Sequence, residues 1–207
     1  MKKSLDDHAE RFSERAAEYD DSQDSPEYRA AADLVVSHAN PDPTDTVLDL
    51  GTGTGAIAFG VAETAGRVIG RDISEGMLER AAEKARARDV DTVEFGVGRF
   101  REPNVPDGTD VDIVTSNFAM HHLGDAEKRE AIEVIADLAP RRIVLGDVMF
   151  FGDPDPAEPF YSPEVDDPAT VGVLADAVTD SGYALTAVEM VADQVGVLVG
   201  ERIDQES

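Results

Sequence analysis

The stretch that most constrains this chain is Thr46-Val47-Leu48-Asp49-Leu50, followed at once by Gly51-Thr52-Gly53-Thr54-Gly55. The first five residues read as a short buried strand, rich in β-branched and aliphatic side chains. The three glycines free the backbone for positive φ and for close approach to a ligand. A helix read from Ala56 to Ala65 aims its first N–H groups into the same space. A strand that turns this sharply into a helix is the opening unit of an open α/β sheet, in which ligands sit beyond the carboxyl ends of the strands.

The rest of the chain repeats that alternation. Arg67 to Ile73 reads as a second strand and Ser74 to Arg88 as a helix, with Ser74 as N-cap and Met77, Leu78 and Ala81 along one face. Thr92 to Val97 and Val111 to Ser116 are strands, Ala126 to Leu138 a helix, and Arg142 to Val148 a fifth strand. A further helix is expected over Pro168 to Asp180, then a hairpin of Ala184 to Val191 and Val195 to Glu201. Upstream, Leu5 to Tyr19 is helix-like, and Ser25-Pro26-Glu27 starts a helix that runs to about His38 before Asn40-Pro41-Asp42-Pro43 ends it. Alternating strands and helices imply a parallel sheet covered on both faces. The final hairpin puts one antiparallel strand at or near an edge.

Charge narrows the partners. The chain has 44 acidic and 18 basic residues, a net −26, spread along its length. Such a surface repels nucleic acid and anionic membranes. Lysine occurs only at Lys2, Lys3, Lys84 and Lys128. Molar salt, which shortens the Debye length to about 3 Å, relieves the self-repulsion, so the composition reads as halophilic, the acidic proteome of a salty cytoplasm. No cysteine is present, which removes disulfides, zinc-thiolate sites and a cysteine nucleophile. The acidic N-terminus lacks the apolar run of a secretory signal, and no run of about 18 apolar residues marks a membrane span. A cytoplasmic protein is expected.

Asp72 lies at the end of the second strand, where a carboxylate accepts both hydroxyls of a ribose. The glycine turn also satisfies the alanine variant of the dinucleotide fingerprint, with Gly51, Gly53 and Ala56. A nicotinamide oxidoreductase is therefore compatible with the turn. No catalytic Tyr-Lys or Cys-His arrangement accompanies it.

The surrounding residues carry a resemblance. Val47 to Gly55 resembles the first motif of class I S-adenosylmethionine-dependent methyltransferases, and Val68-Ile69-Gly70-Arg71-Asp72-Ile73-Ser74-Glu75-Gly76-Met77-Leu78 resembles their second. Asp112 to Leu123, with Asn117-Phe118-Ala119-Met120-His121-His122, is similar to their fourth-strand segment in the small-molecule branch. Phe12 to Asp20 resembles the stretch that lids the cofactor there. The similarity extends over nearly the whole chain. It implies a Rossmann-like, doubly wound, seven-stranded sheet, mostly parallel with the last strand antiparallel and helices on both faces. Residues 1–207 would form a single domain, with residues 1–40 as a helical lid.

The resemblance implies S-adenosyl-L-methionine as cofactor, methyl transfer to a small-molecule acceptor, and no nucleic-acid or membrane partner. Asp49 and the turn residues Gly51, Thr52, Gly53 and Gly55 would serve the methionine end. Asp72 would hold the ribose, with Ile73 and Met77 flanking the adenine. Asn117 and Phe118 would lie near the sulfonium, and Tyr19 would close over the cofactor. Arg99 and Phe100 fall in the adenine segment, and Arg99 departs from the pattern. An acid is usual there, and an arginine accepts no hydrogen bond from the adenine amine. A non-catalytic homologue that binds a ligand or partner is the reading Arg99 favours; the retained turn, Asp49, Asp72 and Asn117 oppose it.

Two further groups are ambiguous in sequence. His121 and His122 read either as packing and pocket-shaping residues or, for His122, as a base; two histidines alone do not make a metal site. Asp147, ending the fifth strand, orients a substrate or caps a loop. The acids of 153–167 read as solvated surface. Phe150, Phe151, Phe160 and Tyr161, in the 149–166 loop, read as a substrate cover.

Overall fold

The structure is a computed structural model that describes residues 5–16, 19, 25–153 and 159–203. Residues 1–4, 17, 18 and 20–24 of the expected lid, and 154–158 of the expected covering loop, lie outside the described residues.

The helices are α1 (Leu5–Arg15), α2 (Pro26–Ala39), α3 (Ala56–Ala62), α4 (Glu75–Ala87), α5 (Asp125–Asp137) and α6 (Val171–Asp180). The strands are β1 (Thr46–Leu50), β2 (Arg67–Asp72), β3 (Val93–Val97), β4 (Ile113–Asn117), β5 (Arg142–Phe150), β6 (Ala169–Thr170), β7 (Tyr183–Ala192) and β8 (Val195–Arg202). Seven strands run in the order β3-β2-β1-β4-β5-β8-β7, and the two-residue β6 pairs with the end of β5. The β1–β5 pairings are parallel. β8 is antiparallel to both β5 and β7, so the antiparallel strand is inserted between parallel neighbours and β7 forms the edge.

Residue alternation places two cores. Leu48, Leu50, Ile69, Val114 and Leu145 pack with Ile132 and Ile135 of α5 and Leu174 and Val178 of α6. Val47, Val68, Ile113 and Val144 pack with Ala31 and Val35 of α2 and with Ile57, Ala58 and Val61 of α3. Both faces of the strands are therefore buried, as a parallel sheet between helices requires.

Local signals explain most boundaries. Ser25 caps α2, its hydroxyl accepting from Tyr28 N, with Pro26 at the first turn. Ser74 caps α4 and accepts from Met77 N. Three expectations are corrected. The helix after the glycine turn stops at Ala62 rather than Ala65, because Thr64 N and Ala65 N both turn back to Val61 O. The fourth strand begins at Ile113 rather than Val111. The last helix begins at Val171 rather than Pro168, because Ala169 and Thr170 pair with Met149 and Phe150, and the Thr170 hydroxyl then caps the helix.

Candidate active site

The order β2-β1-β4 marks the point where the sheet reverses its winding, and a cavity of about 260 Å³ opens there, beyond the strand ends. Its wall contains Gly51, Gly53, Asp72, Ile73, Met77, Arg99, Phe100, Phe118 and His122, with Tyr19 from the N-terminal segment. These come from the N-terminal segment, the glycine turn, the end of β2, the loop after β3 and the loop after β4. Phe12, Gly98, Arg101, Glu102, Ala119 and Leu123 complete the wall.

The glycine turn is strapped to β2. Gly51 N and Thr52 N both donate to Arg71 O, at 2.8 and 3.0 Å. Gly51 holds φ +71°, and a Cβ there would lie 2.3 Å from the Ala119 Cβ. Only glycine fits that position without displacing the loop after β4. Asp72 anchors the other side: Oδ2 accepts from Gly53 N and Oδ1 from Ser74 N, both at 2.9 Å. Its carboxyl pKa is raised by burial, against those backbone donors. Each oxygen retains acceptor capacity toward the cavity.

Asp49, Thr52, Gly55 and Asn117 are not among the lining residues. They stand immediately behind the wall, because their strands and turn bury them. Asp49 is 1 % exposed. Its Oδ1 accepts from the Thr115 hydroxyl at 2.9 Å, whereas Oδ2 makes no well-formed hydrogen bond. Burial raises its pKa to about 6, opposed by the neighbouring Thr52 and Thr115 hydroxyls and reinforced by the charge of Asp72. The Thr52 hydroxyl, turned toward Asp49, and both amide atoms of Asn117 likewise make no well-formed hydrogen bond. Unsatisfied buried polar atoms are rare, and these cluster at the ends of β1 and β4 under one glycine turn.

The N-terminal segment docks over the cavity. The hydroxyls of Ser13 and Ser74 share a 2.9 Å hydrogen bond, and Gly76 N donates to the Ser13 hydroxyl. Phe12 packs edge-on against Tyr19, with centroids 6.2 Å apart. Helix α2, by contrast, belongs to the sheet's packing, and its Tyr28 stacks on Phe118. Phe118 holds a left-handed φ of +52°, its N–H donating to Gly146 O at 2.8 Å. Backbone of this kind in a non-glycine residue concentrates at functional sites.

At the end of the cavity toward α5, two histidine–carboxylate pairs lie side by side. The His121 and His122 rings are 4.1 Å apart. His121 Nδ1 meets Asp147 Oδ1 at 2.5 Å, and Asp147 Oδ2 accepts from Met120 N and His121 N. Asp147 is buried behind the wall and ties the loop after β4 to β5. Burial opposes the charge on His121, but the Asp147 carboxylate outweighs it and the pKa is raised. His122, on the wall, places Nδ1 2.7 Å from Asp166 Oδ1. Its pKa is lowered, by burial and then by His121 beside it. The donor atoms of His121, His122 and Asp166 lie within 4.8 Å of one another; His122 and Asp166 share a hydrogen bond there, while His121 is bonded to Asp147 outside the trio.

Asp166 was read in sequence as solvated surface and is buried instead. Its second oxygen accepts from Ser162 N at 2.7 Å. Lys128 Nζ donates to Leu123 O and Asp167 O, and Asp167 N donates to His121 O at 2.7 Å, so the segment before β6 is tied to the loop after β4. No sequence signal at residue 166 alone gives this, although a lysine amid apolar α5 residues marks something to be neutralised. Phe150, Phe151, Phe160 and Tyr161 do not line the cavity: Phe160 packs on Phe118, Phe150 on Tyr161, and Phe151 against Gly196.

In the loop after β3, Arg99 lines the wall, and its backbone exchanges hydrogen bonds with Glu102 at 2.9 and 3.0 Å. The carboxylate absent at position 99 is thus present on the same wall at Glu102.

Comparison with known proteins places this geometry. Residues 47–140 match the family model of a methyltransferase domain. The chain is 37% identical to the cypemycin N-terminal methyltransferase of a Streptomyces species over 61% of this chain and 50% of that one. It is 32% identical to an uncharacterized methyltransferase of Geobacillus kaustophilus over 67% of this chain and 66% of that one. It therefore spans half to about two-thirds of these relatives' lengths. Among solved structures, it shares its fold with magnesium protoporphyrin IX methyltransferase of Synechocystis with bound S-adenosylmethionine, at TM-score 0.65 and 21% identity over 85% of this chain and 78% of that one.

Proposed function

We propose that this chain, which carries a class I S-adenosylmethionine-dependent methyltransferase domain, binds S-adenosylmethionine in the cavity beyond β1, β2 and β4 and transfers its methyl group to a small-molecule acceptor. The observation that carries the reading is the cavity walled by Gly51, Gly53 and Asp72, with poorly satisfied polar atoms of Asp49, Thr52 and Asn117 directly behind it. A zwitterionic amino-acid end satisfies such a cluster; a bare tight turn leaves it uncompensated.

The residues present fit the cofactor. Asp49 and the turn serve its amino-acid end. Asp72 accepts from the ribose hydroxyls, and Ile73, Met77 and Phe100 offer apolar faces to the base, with Glu102 rather than residue 99 supplying the acceptor on that wall. Phe12, Tyr19 and Phe118 exclude water, which makes the N-terminal segment a lid. When bound, the cofactor supplies a methyl group on a sulfonium, already activated for in-line displacement. The protein's task is then alignment and desolvation.

The net charge of −26 supports a small acceptor over nucleic acid. Names of similar proteins span a peptide N-terminus and a porphyrin. No described helix is long and apolar enough to cross a membrane, and we place the protein in a salt-rich cytoplasm on the strength of its charge. Calorimetric titration with S-adenosylmethionine and S-adenosylhomocysteine in molar KCl tests the reading, with NADH as control. Binding of the sulfur compounds, lost in Asp72→Ala, is expected; binding of NADH instead would replace it.

A further inference from the structure

We propose that His122, oriented by Asp166, is the general base of the transfer and that the acceptor presents a neutral hydroxyl; this rests on the methyl-transfer reading above. His122 places an imidazole on the wall, and Asp166 contacts it at Nδ1, 2.7 Å away. A carboxylate at Nδ1 holds the neutral ring in the tautomer with hydrogen on Nδ1, which makes Nε2 the basic nitrogen. Asp166 is itself fixed, buried and accepting from Ser162 N. Phe12 of α1 covers the ring at 5.3 Å.

The neighbours set the charge of this base. His121 lies 4.1 Å away, bonded to Asp147, and its raised pKa favours an imidazolium. The charged and titratable groups around the pair are Asp147 of β5, Asp166 of the segment before β6 and Lys128 of α5, with Asp167 joined to His121 through its backbone N–H and facing Lys128. A cation at His121 keeps His122 neutral and so competent as a base. The acceptor that needs such a base is a neutral hydroxyl, whose proton must leave as the oxygen is methylated. In the step, the acceptor O–H bond breaks and its proton passes to His122 Nε2. The oxygen forms a bond to the methyl carbon, and the carbon–sulfur bond breaks with its electron pair remaining on sulfur. S-adenosylhomocysteine and the methyl ether result, and His122 then releases the proton to solvent.

The test begins with a spectroscopic measurement that needs no acceptor. Long-range proton–nitrogen spectra of the full chain, labelled at its four histidines and saturated with S-adenosylhomocysteine in molar KCl, are assigned with His122→Gln. A neutral His122 with hydrogen on Nδ1 is expected, switching to hydrogen on Nε2 in Asp166→Asn, whose amide donates. Hydrogen on Nε2 in the native protein, or a protonated His122 near neutral pH, overturns the proposal. Calorimetry on the same samples separates the two readings: unchanged homocysteine-compound affinity with the wrong tautomer removes the base alone, whereas absent binding removes the methyl-transfer reading. A panel of phenols, alcohols and aromatic amines with methyl-labelled cofactor then reads turnover. Transfer to a hydroxyl whose kcat falls by about 100-fold in both variants, with cofactor affinity intact, supports the assignment. Transfer to amines only, or hydroxyl transfer undiminished in His122→Gln, overturns it.

Discussion

Replacing Asp49 with asparagine isolates the cost of keeping a charge under the glycine turn. Asp49 is buried and its pKa stands at about 6 against an ordinary 3.8. Folding therefore disfavours the ionised form, and the stability associated with this group, complete below the unfolded pKa, is lost as pH rises through the folded one. The displacement corresponds to about 3 kcal/mol at about 1.4 kcal/mol per pH unit. Asparagine keeps an oxygen to accept from the Thr115 hydroxyl, which now bonds Asp49 Oδ1, and carries no charge. The cofactor-free variant is expected to exceed the native protein by up to about 3 kcal/mol near pH 8, or several degrees in Tm for a domain of this size. The difference should shrink toward zero near pH 4. Denaturant unfolding of both proteins in molar KCl across that range gives the difference curve directly. The same variant should lose affinity for S-adenosylhomocysteine. A variant less stable near pH 8, or a difference independent of pH, would refute the reasoning.

Gly51→Ala should destabilise the chain by about 1–3 kcal/mol and abolish cofactor binding, since a Cβ meets Ala119 at 2.3 Å in backbone of positive φ; thermal melting and calorimetry check this together. Raising KCl from millimolar to molar should raise Tm, because 44 acidic side chains face 18 basic ones; a flat or falling Tm would contradict the salt reading.

The strands, the glycine turn and the serine caps were legible because each rests on local chemistry: a buried β-branched run, a positive φ, a hydroxyl facing orphan N–H groups. The antiparallel direction of the last strand followed from the hairpin and the family resemblance; its insertion between β5 and β7 did not. What escaped sequence reading depends on contacts between distant segments. Asp166 looked like one acid among many, yet it meets His122 across 44 positions. Asp147 read equally as a substrate contact or a cap, and its bonds to Met120 N and His121 N, made across 27 and 26 positions, were not visible in sequence. Lys128, one of four lysines, is buried because two backbone carbonyls receive its ammonium. Phe150, Phe151, Phe160 and Tyr161 were grouped as a cover because a long loop at the carboxyl edge carries them; their ring contacts to Phe118, to one another and to Gly196 join distant segments.

The central claim is that the turn, Asp49 and Asp72 form one site for S-adenosylmethionine. Calorimetry of the native chain and of Asp72→Ala against S-adenosylhomocysteine in molar KCl tests it most directly. The account predicts saturable binding by the native protein, lost in a variant that still melts cooperatively. A folded native protein that does not bind, or a variant that binds equally well, would contradict it.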